Sequence, residues 1–134
     1  MVLGLLLVSC SSGSSPGSLY PKAVSSADEI SAIQNLRAIA TAQAQLRAAR
    51  GTFGDFDALV QAGFLDQRFS GNQPNLRGYR FTMKVNDSDF AVNADPEVTQ
   101  SQPTTGVRFF YLDSSDNAVH VNSGQSASRT DPTL

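Results

Sequence analysis

The chain has 134 residues and a net charge of -2, with 40% hydrophobic and 16% charged residues. This length fits one domain, and this composition is typical of a globular chain rather than a disordered one. A pI near 5.1 and the absence of a lysine or arginine cluster exclude the electrostatics of nucleic-acid binding.

The only cysteine, Cys10, follows a short apolar run and the small residue Ser9. Leu7-Val8-Ser9-Cys10 resembles the lipobox of bacterial lipoproteins. The resemblance implies that residues 1–9 are a cleaved signal and that the thiol of Cys10 carries lipid, which anchors the chain in a membrane. No basic residue precedes the apolar run, although export signals normally have one. A hydrophobic N-terminal strand with a buried cysteine is the alternative.

The segment 10–26 is rich in serine and glycine and contains Pro16 and Pro21, which is typical of a flexible tether. By resemblance to lipoproteins of double-membrane bacteria, Ser11 after the cysteine favours the outer membrane. We therefore expect a cell-envelope protein, lipid-anchored at the periplasmic face of the outer membrane.

Two helices are predicted next. Ser26 and Glu29 have the spacing of a capping box, which indicates a helix that continues to Arg50, with Gly51 as its terminator. Its apolar side comprises Ile33, Leu36, Ile39, Ala40 and Leu46. Gln43 lies on that side as well. We favour the interpretation that it lies at a partly exposed edge of the apolar stripe over the interpretation that its amide has a functional role.

A second, short helix over 56–62 is predicted by Asp55 as its N-cap and Gly63 as its terminator. Its expected core contacts are Phe53, Phe56, Leu59, Val60, Phe64 and Leu65. Residues 66–76 read as an irregular loop.

From Tyr79 the apolar residues alternate with polar ones, which predicts an antiparallel strand to Val85 and a return strand that ends at Asp95-Pro96. Residues 107–112 and 118–121 are predicted as the third and fourth strands, and 125–134 as a loose tail. The expected fold is α+β, a long and a short helix packed on a four-stranded antiparallel sheet, in a domain over 27–124.

Several segments carry a family resemblance. Residues 35–46 and 51–65 are similar to the helix and helix-to-sheet loop of type IV pilins and type II secretion pseudopilins, and 78–81 and 106–113 are similar to their sheet. The resemblance implies a pilin-like fold and a structural or protein-binding role in an envelope secretion or assembly system. Pilins have an apolar polymerising helix where this chain has a lipobox and tether, so we expect a tethered assembly part rather than a filament subunit.

Few residues indicate chemistry. His120 is the only histidine, and there is no Gly-x-Ser-x-Gly motif, so we expect no enzymatic activity. Asp113, Ser115, Asp116 and Asn117 gather oxygen ligands that suit calcium, and major pseudopilins resemble this in binding calcium in a C-terminal loop. The same residues favour hairpin turns, which is the preferred interpretation.

Two functions are therefore carried forward. The first is a lipid-anchored pilin-like module that binds another envelope protein. The alternative is a small-ligand or peptide-binding lipoprotein that uses a groove near the loop 66–76.

Overall fold

The computed structural model describes residues 26–97 and 107–134. The helices are α1 (Ser26–Arg50) and α2 (Phe56–Gln61), and a single 3₁₀ turn spans Gln67–Phe69. The strands are β1 (Asn75–Leu76), β2 (Tyr79–Val85), β3 (Phe90–Pro96), β4 (Phe109–Asp113) and β5 (His120–Asn122).

The α+β fold is confirmed, since both helices precede an antiparallel sheet against which α1 packs. Within the described residues the sheet has five strands in the order β1-β2-β3-β4-β5 rather than four. The strand missed from the sequence is β1, which pairs Asn75 with Arg80 and Leu76 with Tyr79. Arg77 and Gly78, at φ 52° and 82°, make the two-residue turn, and both central residues at positive φ suit a tight hairpin.

The long helix buries one side against the inner face of the sheet. Its apolar side chains Ala32, Leu36, Ile39, Ala42 and Leu46 are at most 2% exposed. They meet Phe81, Val92, Ala94, Phe110 and Leu112 of the sheet in one hydrophobic core. Burial of this stripe supplies the main apolar driving force for docking the helix.

Two polar residues of α1 are buried as well. The carboxylate of Glu29, which the sequence assigns to the helix N-terminus, accepts from the backbone N–H and Nε of Arg108, at 3.3 and 2.9 Å. Gln43 is fully buried, so its interpretation as a partly exposed stripe edge is wrong. Both residues connect α1 to distant parts of the chain.

The short helix begins as predicted. Asp55 caps α2 by accepting from the N–H of Ala58 at 2.8 Å. Phe56, Leu59 and Leu65 are buried, and Phe53, Val60 and Phe64 are partly buried against the core.

The last two strands begin later than the sequence predicts. Strand β4 begins at Phe109, and β5 begins at His120 rather than Ala118. The turn between them is longer because Asp116 Oδ1 accepts from the N–H of Ala118 at 3.0 Å, and Asn117 adopts φ 52°. Local side-chain hydrogen bonds of this kind compete with strand pairing.

Residues 123–134, named here the C-terminal strap, differ from the predicted loose tail over 125–134. Asn93 on the outer face of the sheet donates to the carbonyl of Ala127 at 2.9 Å, and Ala127 is 4% exposed. The N–H of Val121 donates to the carbonyl of Pro132 at 2.8 Å, and Thr133 bridges to His120. The strap is therefore bonded along the outer sheet face and the β5 edge.

The predicted signal, Cys10 and the tether up to residue 25 lie outside the described residues. Among the helices of 26–97 and 107–134, none combines the length and the apolar character that crossing a membrane requires.

Candidate functional site

A surface groove of about 420 Å³ runs between the exposed side of α1 and the turn after β4. Its lining includes Ala40, Ala44, Phe53, Phe90, Ser114 and Asn117. A second depression of about 310 Å³ shares both alanines and Asn117 and extends the surface toward Arg37. We refer to the two together as the α1 groove.

Small side chains on α1 create the space. Ala40, Ala44 and Ala48 recur every four residues and therefore lie above one another on one face of the helix. At one end, the rings of Phe53 and Phe90 meet edge to face with their centroids 5.0 Å apart. The groove thus has an apolar floor, while Ser114 and Asn117 bring polar groups to its rim.

The charged residues that line the groove are arginines. The guanidinium of Arg47 stacks over the ring of Phe53 at 4.8 Å, an attractive cation–π arrangement. Arg37 lies ten residues earlier on α1, which is about 15 Å along the helix axis. Two positive groups therefore flank an apolar floor.

The predicted calcium turn lies next to this groove but is organised around internal hydrogen bonds. Oδ1 of Asp113 accepts from the N–H of Ser115 at 2.9 Å and from its hydroxyl, while Oδ2 accepts from the hydroxyl of Tyr111 at 2.6 Å and from Nε of Arg129 at 2.9 Å. Both oxygens of Asp113 are thus occupied by protein donors. Asn117 also lines the groove.

These donors determine the ionisation of the cluster. Burial opposes the charge on Asp113, but donation from Ser115, Tyr111 and Arg129 outweighs it and holds the pKa of Asp113 well below its usual range. Burial, followed by the hydrogen bond to Asp113, raises the pKa of Tyr111 to about 12. Asp113 is therefore a buried carboxylate that remains ionised at neutral pH.

Within the described ranges, no group of three or more histidine, cysteine, aspartate or glutamate residues is arranged to hold a metal ion. A calcium ion at Asp113, Ser115, Asp116 and Asn117 would have to displace donors that already bind the Asp113 and Asp116 carboxylates. The geometry favours the turn interpretation, and calcium binding stays a prediction.

His120 uses both ring nitrogens structurally. Nε2 lies 2.8 Å from Oδ2 of Asp116, and Nδ1 lies 2.7 Å from the carbonyl oxygen of Asp131 in the strap. Both partners are acceptors, so only the doubly protonated imidazolium can donate to each of them. The hydrogen bond to Asp131 and the nearby carboxylates of Asp116 and Asp113 raise the pKa of His120, although burial opposes the shift.

We expect stability to depend on His120 around neutral pH. Because its folded-state pKa lies above the unfolded value, its contribution is complete below about pH 6.5 and is lost as pH rises through the folded-state pKa. The flanking groups are Asp116, Asp113 and the ring of Tyr111, and the carboxylates stay ionised through this range. Urea unfolding of the native chain and His120→Asn across this range measures the effect. Parallel pH profiles for the two proteins would contradict it.

The residues that the sequence did not single out are the lining arginines and the alanine face of α1. The sequence does contain one indication of the cationic groove, because residues 37–50 include three arginines and no acidic residue. The groove also lies in a different place from the one expected near 66–76, where Phe69 and Leu76 are buried in the core.

Comparison of the chain with protein-family models, curated proteins and solved structures found no match.

Proposed function

We propose that this chain is a lipid-anchored, extracytoplasmic, pilin-like module that binds a protein partner in an envelope secretion or assembly system. The lipobox-like Leu7-Val8-Ser9-Cys10 supports the anchor, and the serine- and glycine-rich stretch after it supports a tethered domain. The order of a long helix, a short helix and an antiparallel sheet is the arrangement that the pilin resemblance implies.

The observation that carries a binding role is the α1 groove. It combines an apolar floor with cationic ends. His120, the only histidine of the chain, has a hydrogen-bond partner on each ring nitrogen, so neither nitrogen is left to act as a catalytic base. Convergent polar and apolar groups of this kind are what recognition of another molecule requires. A hydrolytic function has less support, and hydrolysis of an ester or peptide that is lost in His120→Ala would overturn this preference.

We expect Cys10→Ala to abolish lipid attachment and to release the protein from the membrane fraction. Labelling with a palmitate analogue, followed by fractionation, measures both effects. Cys10 is the only cysteine, so the variant has no thiol to carry lipid. Label that persists in the variant would therefore show that the labelling attributed to Cys10 is unspecific. Equal membrane retention of both proteins would overturn the lipid anchor.

Partner binding is tested by crosslinking in the intact envelope and recovery of the Cys10-anchored protein. A stable secretion or pilus subunit among the crosslinked proteins supports the assembly role.

A small-ligand or peptide-binding lipoprotein is the second candidate. A groove of about 420 Å³ falls within the range of about 300–1,000 Å³ typical of ligand pockets. Thermal shifts with small molecules, in the absence of any crosslinked envelope protein, would favour this candidate over the first.

A further inference from the structure

The arginines of this protein divide into two groups. Five are ion-paired, as Arg68–Asp66, Arg77–Asp28, Arg80–Glu97, Arg108–Glu29 and Arg129–Asp113. In the part of the chain that the structure describes, Arg37, Arg47 and Arg50 show no such ion pair, and all three lie within residues 37–50 of α1. The arginine charge without an acidic partner is therefore concentrated on residues 37–50 of one helix, in a chain whose net charge is negative.

The helix dipole accounts for part of this distribution. Cations near a helix C-terminus are stabilised by the partial negative charge there, and Arg47 and Arg50 lie in the last turns of α1. The effect falls off within one turn, so it does not explain Arg37, which is more than three turns from the end. Arg37 and Arg47 have in common that both line the α1 groove.

We propose that the α1 groove binds an extended acidic segment of a partner protein. One apolar side chain of the segment packs on Ala40 and Ala44, beside Phe53 and Phe90, and two flanking carboxylates pair with Arg37 and Arg47. An extended chain rises about 3.3 Å per residue, so carboxylates four residues apart span about 13 Å, close to the separation of the two arginines along α1. The inference rests on the proposed partner-binding function and names its surface.

The nearby carboxylates are bonded elsewhere, and within the described residues none of them forms an ion pair with Arg37 or Arg47. Asp89 is held by the hydroxyls of Ser88 and Ser114, at 3.3 Å each, and Asp116 is bonded to His120. Arg47 also keeps its cation–π contact with Phe53, which orients its guanidinium at the apolar floor. An acidic segment with one apolar anchor complements both properties.

The test uses the peptide Glu-Ala-Leu-Ala-Glu, with both termini blocked, titrated into the isotope-labelled full chain. We expect the backbone amide signals of Ala40, Ala44 and Ser114 to shift, with an affinity that falls as salt is added. The peptide Gln-Ala-Leu-Ala-Gln has the same length and anchor without the charges, and we expect it to bind about tenfold more weakly or not at all.

The variants separate charge from location. We expect Arg37→Gln and Arg47→Gln each to weaken binding of the acidic peptide by up to about fivefold. Arg50→Gln is the matched control, because Arg50 is also exposed, lacks an acidic partner and does not line the groove, so we expect little change. Ala44→Leu fills the groove without altering charge, and we expect it to abolish binding. All four positions are exposed on the helix surface, so folding is preserved.

Three results would overturn the inference. The first is the absence of binding, and the second is an equal loss of affinity for Arg50→Gln and Arg37→Gln. The third is binding to phosphatidylglycerol vesicles, but not to the peptide, that depends on Arg37 and Arg47, since the groove would then recognise lipid. If the peptide fails while an envelope protein is still crosslinked, the proposed function stands and only this surface is wrong.

Discussion

Asp113→Asn should lower the free energy of unfolding by about 2–4 kcal/mol, because it removes a buried charge that organises the turn between β4 and β5. Asp113 is 1% exposed and accepts hydrogen bonds from Ser115, Tyr111 and Arg129. Asparagine has nearly the same shape but replaces one acceptor oxygen with a donor, which would face donors that cannot all reorient. Chemical denaturation of the two proteins measures the difference.

Arg129→Gln is the matched control for this prediction. The side chain of Arg129 is 67% exposed, so the loss of its ion pair with Asp113 should cost less than about 1 kcal/mol. Equal losses for the two variants would show that the surface ion pair, rather than the buried acceptor network, carries the stability.

The acid side of the stability profile offers an independent readout. Since the folded-state pKa of Asp113 is depressed, its contribution is complete above the ordinary carboxyl range and is lost as pH falls through the folded-state value. Asp113→Asn should therefore lose stability less steeply than the native chain at acid pH. A profile as steep as that of the native chain would contradict the depressed pKa.

The regular elements were accessible from local signals. Helix α1 has a marked end at Gly51, and β2 and β3 have clear two-residue periodicity, so their bounds were predicted within a residue or two. Strand β1 was missed because its hairpin turn places Arg77 at positive φ. Positive φ is expected at glycine, asparagine or aspartate, so an arginine gives no sign of such a turn in the sequence.

The strap shows why composition alone was insufficient. Residues 123–134 are rich in serine and threonine, a composition that predicts a loose tail. Their order depends on single long-range contacts, such as those of Ala127 with Asn93 and of Asp131 with His120. Contacts of this kind depend on the register of the sheet, which no short window of sequence contains.

The sequence identifies some residues of the candidate site, but it does not give the roles that they have in the structure. The sequence marks Asp113 and Asn117 as turn residues whose oxygens also suit calcium, and in the structure Asp113 accepts hydrogen bonds in an internal network while Asn117 lines the groove. The groove itself depends on how close the β4–β5 turn approaches α1, which is a property of packing. Only the excess of arginine over acid in residues 37–50 was visible in advance.

The second large effect is expected at Gln43, where we predict that Gln43→Leu lowers the free energy of unfolding by about 2–3 kcal/mol. Nε2 of Gln43 donates to the carbonyl of Gly54 at 2.6 Å, and the N–H of Gly54 donates to Oε1 at 3.0 Å. Nε2 also lies 3.2 Å from the sulfur of Met83. The amide thus satisfies both backbone groups of Gly54, and leucine would fill the space without replacing either hydrogen bond.

This amide also fixes the loop that carries Phe53 to the groove. The loop lies close to the core, since a Cβ atom at Gly54 would be 2.7 Å from Cδ2 of Leu46 and 2.8 Å from Cβ of Ala58. Gln43→Leu should therefore weaken binding of the acidic peptide as well as stability, because Phe53 would lose its fixed position.

Gln45→Leu is the matched control, as it makes the same substitution two residues away on the exposed side of α1. We expect it to change stability by no more than about 0.5 kcal/mol. Denaturation of the native chain and both variants decides between hydrogen bonding and packing at Gln43. If Gln43→Leu is as stable as the native chain, the buried amide contributes only volume, and the loop is held by the glycine contact with Leu46 instead.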